Sequence, residues 1–311
     1  MKEKSLSGRR VLITGISGFV GSHLARKLRN LGADVYGISR SIEKKNKILK
    51  ANMLDFSIVD EFIKKSKIET CFHLAGESLV EAGQKDPHNT FKLNIEGTLN
   101  ILESARQNRL ERIIIASTAH VYGNNKLPYF EKYTPKPSRP YETSKACMDL
   151  IAQSYTSSFN LPVLIPRFVN IYGPGDLHFE RLIPKTIRAV LFDKSPVMWG
   201  GAALRDYLYI DDAINAYLRL AVVDLSRVGN NPIFNFGSVN RISVKELMEK
   251  IIQLSGKKLP IRKVEEQRSK EIEEQYVSFN KATKLLKWRP KTMLDQGLKK
   301  TILWYSHYFA K

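Results

Sequence analysis

The sequence predicts an α/β protein, a parallel sheet wound on both faces by helices, with a smaller α+β lobe appended. Three observations carry that expectation. Short apolar runs alternate with amphipathic helical stretches over the first half of the 311 residues, the pattern of a parallel sheet covered on both sides. A glycine-rich turn joins the first apolar run to the first helical stretch. After about residue 169 the pattern gives way to loops, Gly-Pro turns and shorter elements.

Taken in order, Val11 to Ile13 form the core of a first strand over 11–14, and Leu24, Leu28 and Leu31 mark the helix at 19–30 that follows. Between them stand Gly15, Gly18 and Gly21. Gly15 permits a tight turn, Gly18 lets backbone approach a pyrophosphate, and Gly21 lets the helix pack close to the strand. This is the physics of a Rossmann-type dinucleotide site, although G-x-x-G-x-x-G differs from the more widespread G-x-G-x-x-G. The alternative is a turn that packs a helix and binds nothing. Further strands are expected at 34–38, 47–50, 70–74, 112–117, 163–167 and 233–236, with helices at 57–65, 89–107 and 141–158. The expected organisation is a dinucleotide-binding domain over 1–168, to which 211–237 returns. A second lobe would comprise 169–210 and 238–311.

Tyr141 and Lys145 lie four residues apart in Arg139-Pro140-Tyr141-Glu142-Thr143-Ser144-Lys145. On a helix, with Pro140 presetting its entry, that spacing puts both side chains on one face. A free phenol titrates near pH 10, and a nearby ammonium favours the phenolate, the tuning a general acid/base requires.

The net charge of +19 suits phosphate-bearing ligands. The lysines are dispersed, with small clusters at 44–47 and 299–300. No aromatic-interleaved basic stretch offers a base-stacking platform, so nucleic acid is not the expected partner. Cys71 and Cys147 suggest neither a disulfide framework nor a metal site. No apolar run approaches the roughly 20 residues needed to span a bilayer, and Met1-Lys-Glu-Lys-Ser opens no secretion signal. The cytoplasm is the expected compartment.

Further motifs accumulate along the chain: Phe72-His-Leu74-Ala75-Gly76, Asn94-Ile-Glu-Gly97-Thr, Ser117-Thr118-Ala-His120-Val-Tyr122-Gly123, Arg167-Phe-Val-Asn170-Ile-Tyr172-Gly173-Pro174, Arg205-Asp-Tyr-Leu-Tyr-Ile-Asp211-Asp212 and Leu286-Lys-Trp288-Arg-Pro290. With the glycines and the Tyr141/Lys145 pair, the chain resembles, nearly end to end, an extended short-chain dehydrogenase/reductase. That branch contains nucleotide-sugar epimerases, dehydratases and ketoreductases. The resemblance implies that Thr118 hydrogen-bonds the reacting sugar oxygen, with Ser117 the lesser candidate. Tyr141 would move its proton, and Lys145 would lower the Tyr141 pKa and hold the nicotinamide ribose. Phe19, Val20, Leu74, Ala75, Gly76 and Asn94 would join the glycines around the cofactor, and Asp55 would meet adenine. Asn170 and Arg205 match positions that contact the second nucleotide's diphosphate or sugar, and Arg268 resembles a further phosphate-binding arginine. Glu77 and Ser78, just past the cofactor loop, could face the sugar or only water, and His120 could face the substrate. Each has a plainer reading: Thr118 could cap a strand end, Asn170 brace a turn, Arg205 pair with Asp206 or Asp211, and His120 serve structure alone.

Two departures bear on the reaction. The family's 4,6-dehydratases carry acidic residues directly after the threonine, where this chain has Ala119 and His120, so dehydration is disfavoured. At the end of the second strand, where NAD-preferring members place an acidic residue, stand Ser39 and Arg40. Those suit a 2′-phosphate, with Lys44 and Lys45 as possible reinforcement, so NADP(H) is favoured over NAD(H). The expectation is hydride chemistry at C4 of a nucleotide-diphosphate sugar. Reduction of a 4-ketosugar with NADPH is favoured over 4-epimerisation with a retained NAD. The second lobe, around 181–184 and 198–201, would choose sugar and base. Relatives commonly dimerise through helices matching 89–107 and 141–158, so a homodimer is expected. A reading from another class is a non-catalytic dinucleotide sensor or RNA-binding protein, which commonly loses the tyrosine or lysine retained here.

Overall fold

A computed structural model describes residues 6–41, 47–229, 231–264 and 272–310. The first strands are β1 (Arg10–Thr14), β2 (Asp34–Ser39), β3 (Ile48–Lys50), β4 (Thr70–His73), β5 (Arg112–Ile115), β6 (Ser117–Thr118) and β7 (Val163–Phe168). Then come β8 (Asn170–Tyr172), β9 (Val197–Trp199), β10 (Leu204–Tyr209) and β11 (Ile233–Phe236). The last are β12 (Arg241–Ser243), β13 (Arg262–Val264) and β14 (Glu274–Gln275). The central sheet runs β11-β7-β5-β4-β1-β2-β3, parallel throughout, with β6 paired to β7. Its order reverses between β1 and β4, where doubly wound sheets bind ligands beyond the carboxyl ends of their strands.

Side-chain alternation builds two cores. Val11, Ile13, Ile114 and Leu164 face one way, against α1 (Phe19–Asn30). Leu12, Ile113, Ile115, Val163 and Ile165 face the other, against α2 (Phe56–Lys65). After α3 (Val80–Lys85) and α4 (Pro87–Phe91), that second face is completed by α5 (Gly97–Gln107) and α6 (Pro140–Phe159). This is the period of two of a pleated strand, buried on both sides.

Two elements differ from expectation. The strand expected over 112–117 breaks at Ala116. Pro166 in β7 has no N–H to offer: β5 pairs Ile113 and Ile114 with Val163 and Leu164, and pairing resumes only at Ser117 opposite Arg167. The helix expected over 89–107 is interrupted by one π-helical turn, Lys92–Glu96, which carries Asn94. Such turns concentrate at functional sites.

The remaining helices are α7 (Leu182–Leu191), α8 (Ile210–Val222), α9 (Val244–Leu254), α10 (Asn280–Leu286) and α11 (Leu294–Phe309). Among them, α8 returns to the first core beside α1, with Ile210, Ala213 and Tyr217 in that cluster. A small sheet of β12-β10-β14 with β8 beside β10, and a β13-β9 pair, lie outside the central sheet. No helix among the described residues is long and apolar enough to cross a membrane.

Candidate active site

The glycine turn is built as a cradle. Gly15 has φ +68°, and a Cβ there would sit 3.0 Å from the Ala75 amide nitrogen. Gly21 presses the helix on the turn so closely that a Cβ would collide with the Gly15 carbonyl oxygen. Gly18 caps α1, with no side-chain cap and no acidic residue in the first turn. The helix therefore presents bare N–H groups and positive dipole to its ligand. These residues fit a dinucleotide pyrophosphate, and a side chain at Gly15 or Gly21 would strike neighbouring backbone and break the turn that shapes the cradle.

Behind the cradle, Thr14 ties β1 to β4. Its hydroxyl accepts from the Leu74 and Ala75 amides, both at 3.1 Å, and lies 2.8 Å from Nδ1 of His73. The other His73 nitrogen meets Thr98 at 3.1 Å. Asn94, buried on its π turn, braces the next loop: its carbonyl accepts from the Glu77 amide (2.8 Å) and its NH₂ donates to Ser144 (2.8 Å).

A cavity of about 390 Å³ opens at this edge of the sheet. Its wall brings together Phe19, Val20, Leu74, Gly76, Glu77, Ser117, Thr118, His120, Tyr141, Lys145, Asn170 and Arg205. Gly15, Gly18, Gly21, Ala75 and Asn94 do not line it, while Asp55 stands apart as the cap of α2, accepting from the Ile58 amide. Glu77 turns back to accept from the Ser78 and Leu79 amides, and Arg205 donates to the Leu204 carbonyl. Arg268 and the Lys44/Lys45 pair lie outside the described residues.

Tyr141 occupies the first turn of α6, with Lys145 one turn on, both buried. Burial pushes the Tyr141 phenol up to about 12, and the Arg181 charge and a hydrogen bond with Thr118 oppose it. Lys145 was expected in that opposing role. Its ammonium instead donates to the Ala116 carbonyl at 2.7 Å, at the break in the sheet edge, and burial lowers its pKa to about 8. Ser117 does not offer its hydroxyl to the cavity: it donates to Asp149 (2.8 Å), which holds Arg167 through a two-pronged pair. Sequence reasoning missed that anchor, although Asp149 stands one helical turn beyond Lys145.

At the end of β2, Ser39 is buried against Ser17 at 2.8 Å and Ser41 at 3.3 Å, while Arg40 is exposed. The serine thus serves the glycine turn. Among the described residues no group of three or more His, Cys, Asp or Glu side chains is placed to hold a metal ion.

A doubly wound sheet with a Tyr-Lys pair beside its dinucleotide cradle defines an oxidoreductase of the short-chain dehydrogenase/reductase class. The chain belongs to the NAD dependent epimerase/dehydratase family, whose model matches residues 11–237. It is 34% identical to a dTDP-D-glucose 4,6-dehydratase of Dictyostelium discoideum, over 79% of this chain and 62% of that one. It is 29% identical to the dTDP-D-glucose 4,6-dehydratase of Homo sapiens, over 97% of this chain and 91% of the relative. Among solved structures, the UDP-glucose 4-epimerase of Thermotoga maritima with UDP-glucose superposes with a TM-score of 0.89. It is 26% identical, over 96% of this chain and 99% of that one.

Two expectations are corrected. Dehydration was disfavoured because Ala119 and His120 replace acidic residues. Relatives bearing the 4,6-dehydratase name overturn that exclusion. The preference for NADP finds no support either: the family is described as NAD dependent, and Ser39 is committed to Ser17.

Proposed function

We propose that this protein carries out internal redox chemistry at C4 of a nucleotide-diphosphate sugar, oxidising that carbon with a retained NAD and returning the hydride to the same sugar. The observation that carries the reading is the single cavity in which Thr118, Tyr141 and Lys145 face Asn170 and Arg205 from beyond the central sheet. Bound NAD would supply the hydride acceptor. Thr118 orients the 4-hydroxyl, and Tyr141 takes its proton and later gives it back. Lys145, with positive charge at neutral pH, holds the ribose edge of the site. Arg205 and Asn170 hold the diphosphate end, so the sugar lies between fixed anchors. Epimerisation needs only these groups. Dehydration is the second reading, favoured by an ionisable side chain beside Tyr141, His120.

The test begins with the dinucleotide released on denaturing freshly purified protein, read by chromatography and mass. Near-stoichiometric NAD is expected, and the Tyr141→Phe protein should retain as much while losing turnover of sugar nucleotides by about 100-fold or more. A protein that binds neither NAD nor NADP would refute the enzymatic reading. Preferential binding of NADPH to an empty site would return it to ketosugar reduction.

A further inference from the structure

His120 lines the same cavity yet has no task in the epimerisation scheme above. It stands on the 3₁₀ turn Ala119–Tyr122, its ring edge-on to that of Tyr141 with centroids 6.2 Å apart. Its Nδ1 is buried and has no hydrogen-bond partner. The facing group is Oε1 of Glu142, 3.7 Å away, on a carboxylate with no exposed surface. Arg139 pairs with that carboxylate at 2.8 Å, and the Ser138 amide donates to it at 3.2 Å. Burial alone would raise the Glu142 pKa, but His120, Arg139 and the Ser138 amide together hold it down to about 2. It is therefore an anion throughout the neutral range.

A buried imidazole nitrogen left bare against this buried anion would be doubly unfavourable, its lone pair facing a carboxylate lone pair and Nδ1 itself left unpaired. A proton on Nδ1 resolves both costs after a small tilt of the ring. The opposite nitrogen, Nε2, is then the basic one, as when a carboxylate fixes an imidazole tautomer in other acid/base sites.

We propose that His120, oriented by Glu142, is a second acid/base group of the site, serving a proton on the carbon next to C4 while Tyr141 serves the oxygen on C4. This rests on C4 oxidation by NAD as proposed above. Once C4 is a ketone, the neighbouring C–H is acidified. Nε2 takes that proton, the C–H electron pair forms an enolate with its charge on O4 beside Tyr141 and Thr118, and Glu142 balances the imidazolium. Returning the proton regenerates the ketone. Where the adjoining carbon bears a hydroxyl, the imidazolium can instead protonate it, so that water leaves and a carbon–carbon double bond forms. The 6.2 Å between the ring centroids keeps the imidazole and the phenol as two separate groups on one cavity wall, so each can serve a different atom of the sugar. A base here would supply what Ala119 cannot.

The experiment has two arms. Nitrogen-15 NMR of the histidines, with His120→Gln to assign the resonance, reads the tautomer without any substrate. A protonated Nδ1 with bare Nε2 is expected, and a protonated Nε2 with bare Nδ1 would overturn the proposal. In the second arm, nucleotide sugars are turned over in D₂O, with enzyme-bound NADH absorbance reporting C4 oxidation. The unmodified protein should place solvent deuterium on the carbon next to C4. His120→Gln should lose that incorporation by about 100-fold or more while bound NADH still forms. Equal incorporation in both proteins overturns the proposal. If no sugar nucleotide yields bound NADH, C4 oxidation itself fails, and the tautomer alone decides whether the His120–Glu142 pair exists.

Discussion

Burial pushes the Tyr141 phenol up to about 12, so its ability to accept a proton depends on what packs around it. One such neighbour is Gly83 on α3, where a Cβ would lie 2.9 Å from the Tyr141 Cβ and 3.0 Å from its amide nitrogen. Those atoms belong to the first turn of a buried helix and cannot yield cheaply. Gly83→Ala should therefore displace Tyr141 and lower kcat about 10-fold to 100-fold, with dinucleotide affinity nearly unchanged. Steady-state kinetics beside a dinucleotide titration checks this, and an unaltered kcat would show that the contact carries no positional demand. Gly83 was not legible in the sequence, because Ala82-Gly83-Gln84 carries no turn signature and its partner lies 58 residues on. Tyr141 and Lys145 were legible because their relation is local, one helical turn. Glu142 sat beside them unread, since successive helical residues point apart and only the fold brings His120 to it.

At the scale of elements, what the sequence showed least was how strands and helices are interrupted. Pro166 is visible in the chain, but which ladder it interrupts depends on its neighbour, and that break leaves the Ala116 carbonyl to Lys145. The π turn at Asn94 is equally a tertiary product, made where one side chain reaches both Glu77 and Ser144. The seam between β1 and β4 yields a pH prediction. Thr14 accepts from two amides, so its hydroxyl proton must go to His73 Nδ1, and His73 Nε2–H must donate to Thr98. Only neutral imidazole satisfies both bonds. Burial, with the nearby Lys145 charge, accordingly lowers the His73 pKa to about 3 from its ordinary 6.5. Below pH 6.5 the unfolded chain binds a proton that the folded one refuses, so stability rises with pH in that window. The contribution is complete above about 6.5 and is lost as pH falls toward 3, at no more than about 1.4 kcal/mol per pH unit. His73→Asn should be less stable at pH 7 but flatter between pH 6.5 and 4. Denaturant midpoints across that range measure the slope, and parallel curves would refute the assignment.

Over the whole molecule, the cavity wall has two origins. Phe19, Leu74, Thr118 and Tyr141 come from the central sheet and its helices, while Asn170, Arg181, Lys185 and Arg205 come from the chain beyond β7. Direct ties between them include Arg181, which donates to Ser78 at 2.9 Å, and His23, which meets the Pro174 carbonyl at 2.8 Å. A dinucleotide on the glycine cradle touches mainly the first set, whereas a nucleotide diphosphate reaching Lys185 and Arg205 would tether the second. The two ligands should consequently stabilise in sequence. At 100 times its dissociation constant, a ligand bound only by the folded state adds about 2.7 kcal/mol, which for a chain of this length is several degrees of Tm. After bound dinucleotide is stripped and NAD restored, Tm should rise once, and a nucleoside diphosphate should raise it again. The second increment should shrink when Arg205 becomes Met, and should weaken with salt, as expected for an anion drawn to a chain of net charge +19. Differential scanning fluorimetry across several nucleoside diphosphates would separate the bases. If none raises Tm beyond NAD alone, the residues beyond β7 do not form a nucleotide site, and the substrate must be an oxidisable sugar held without its nucleotide.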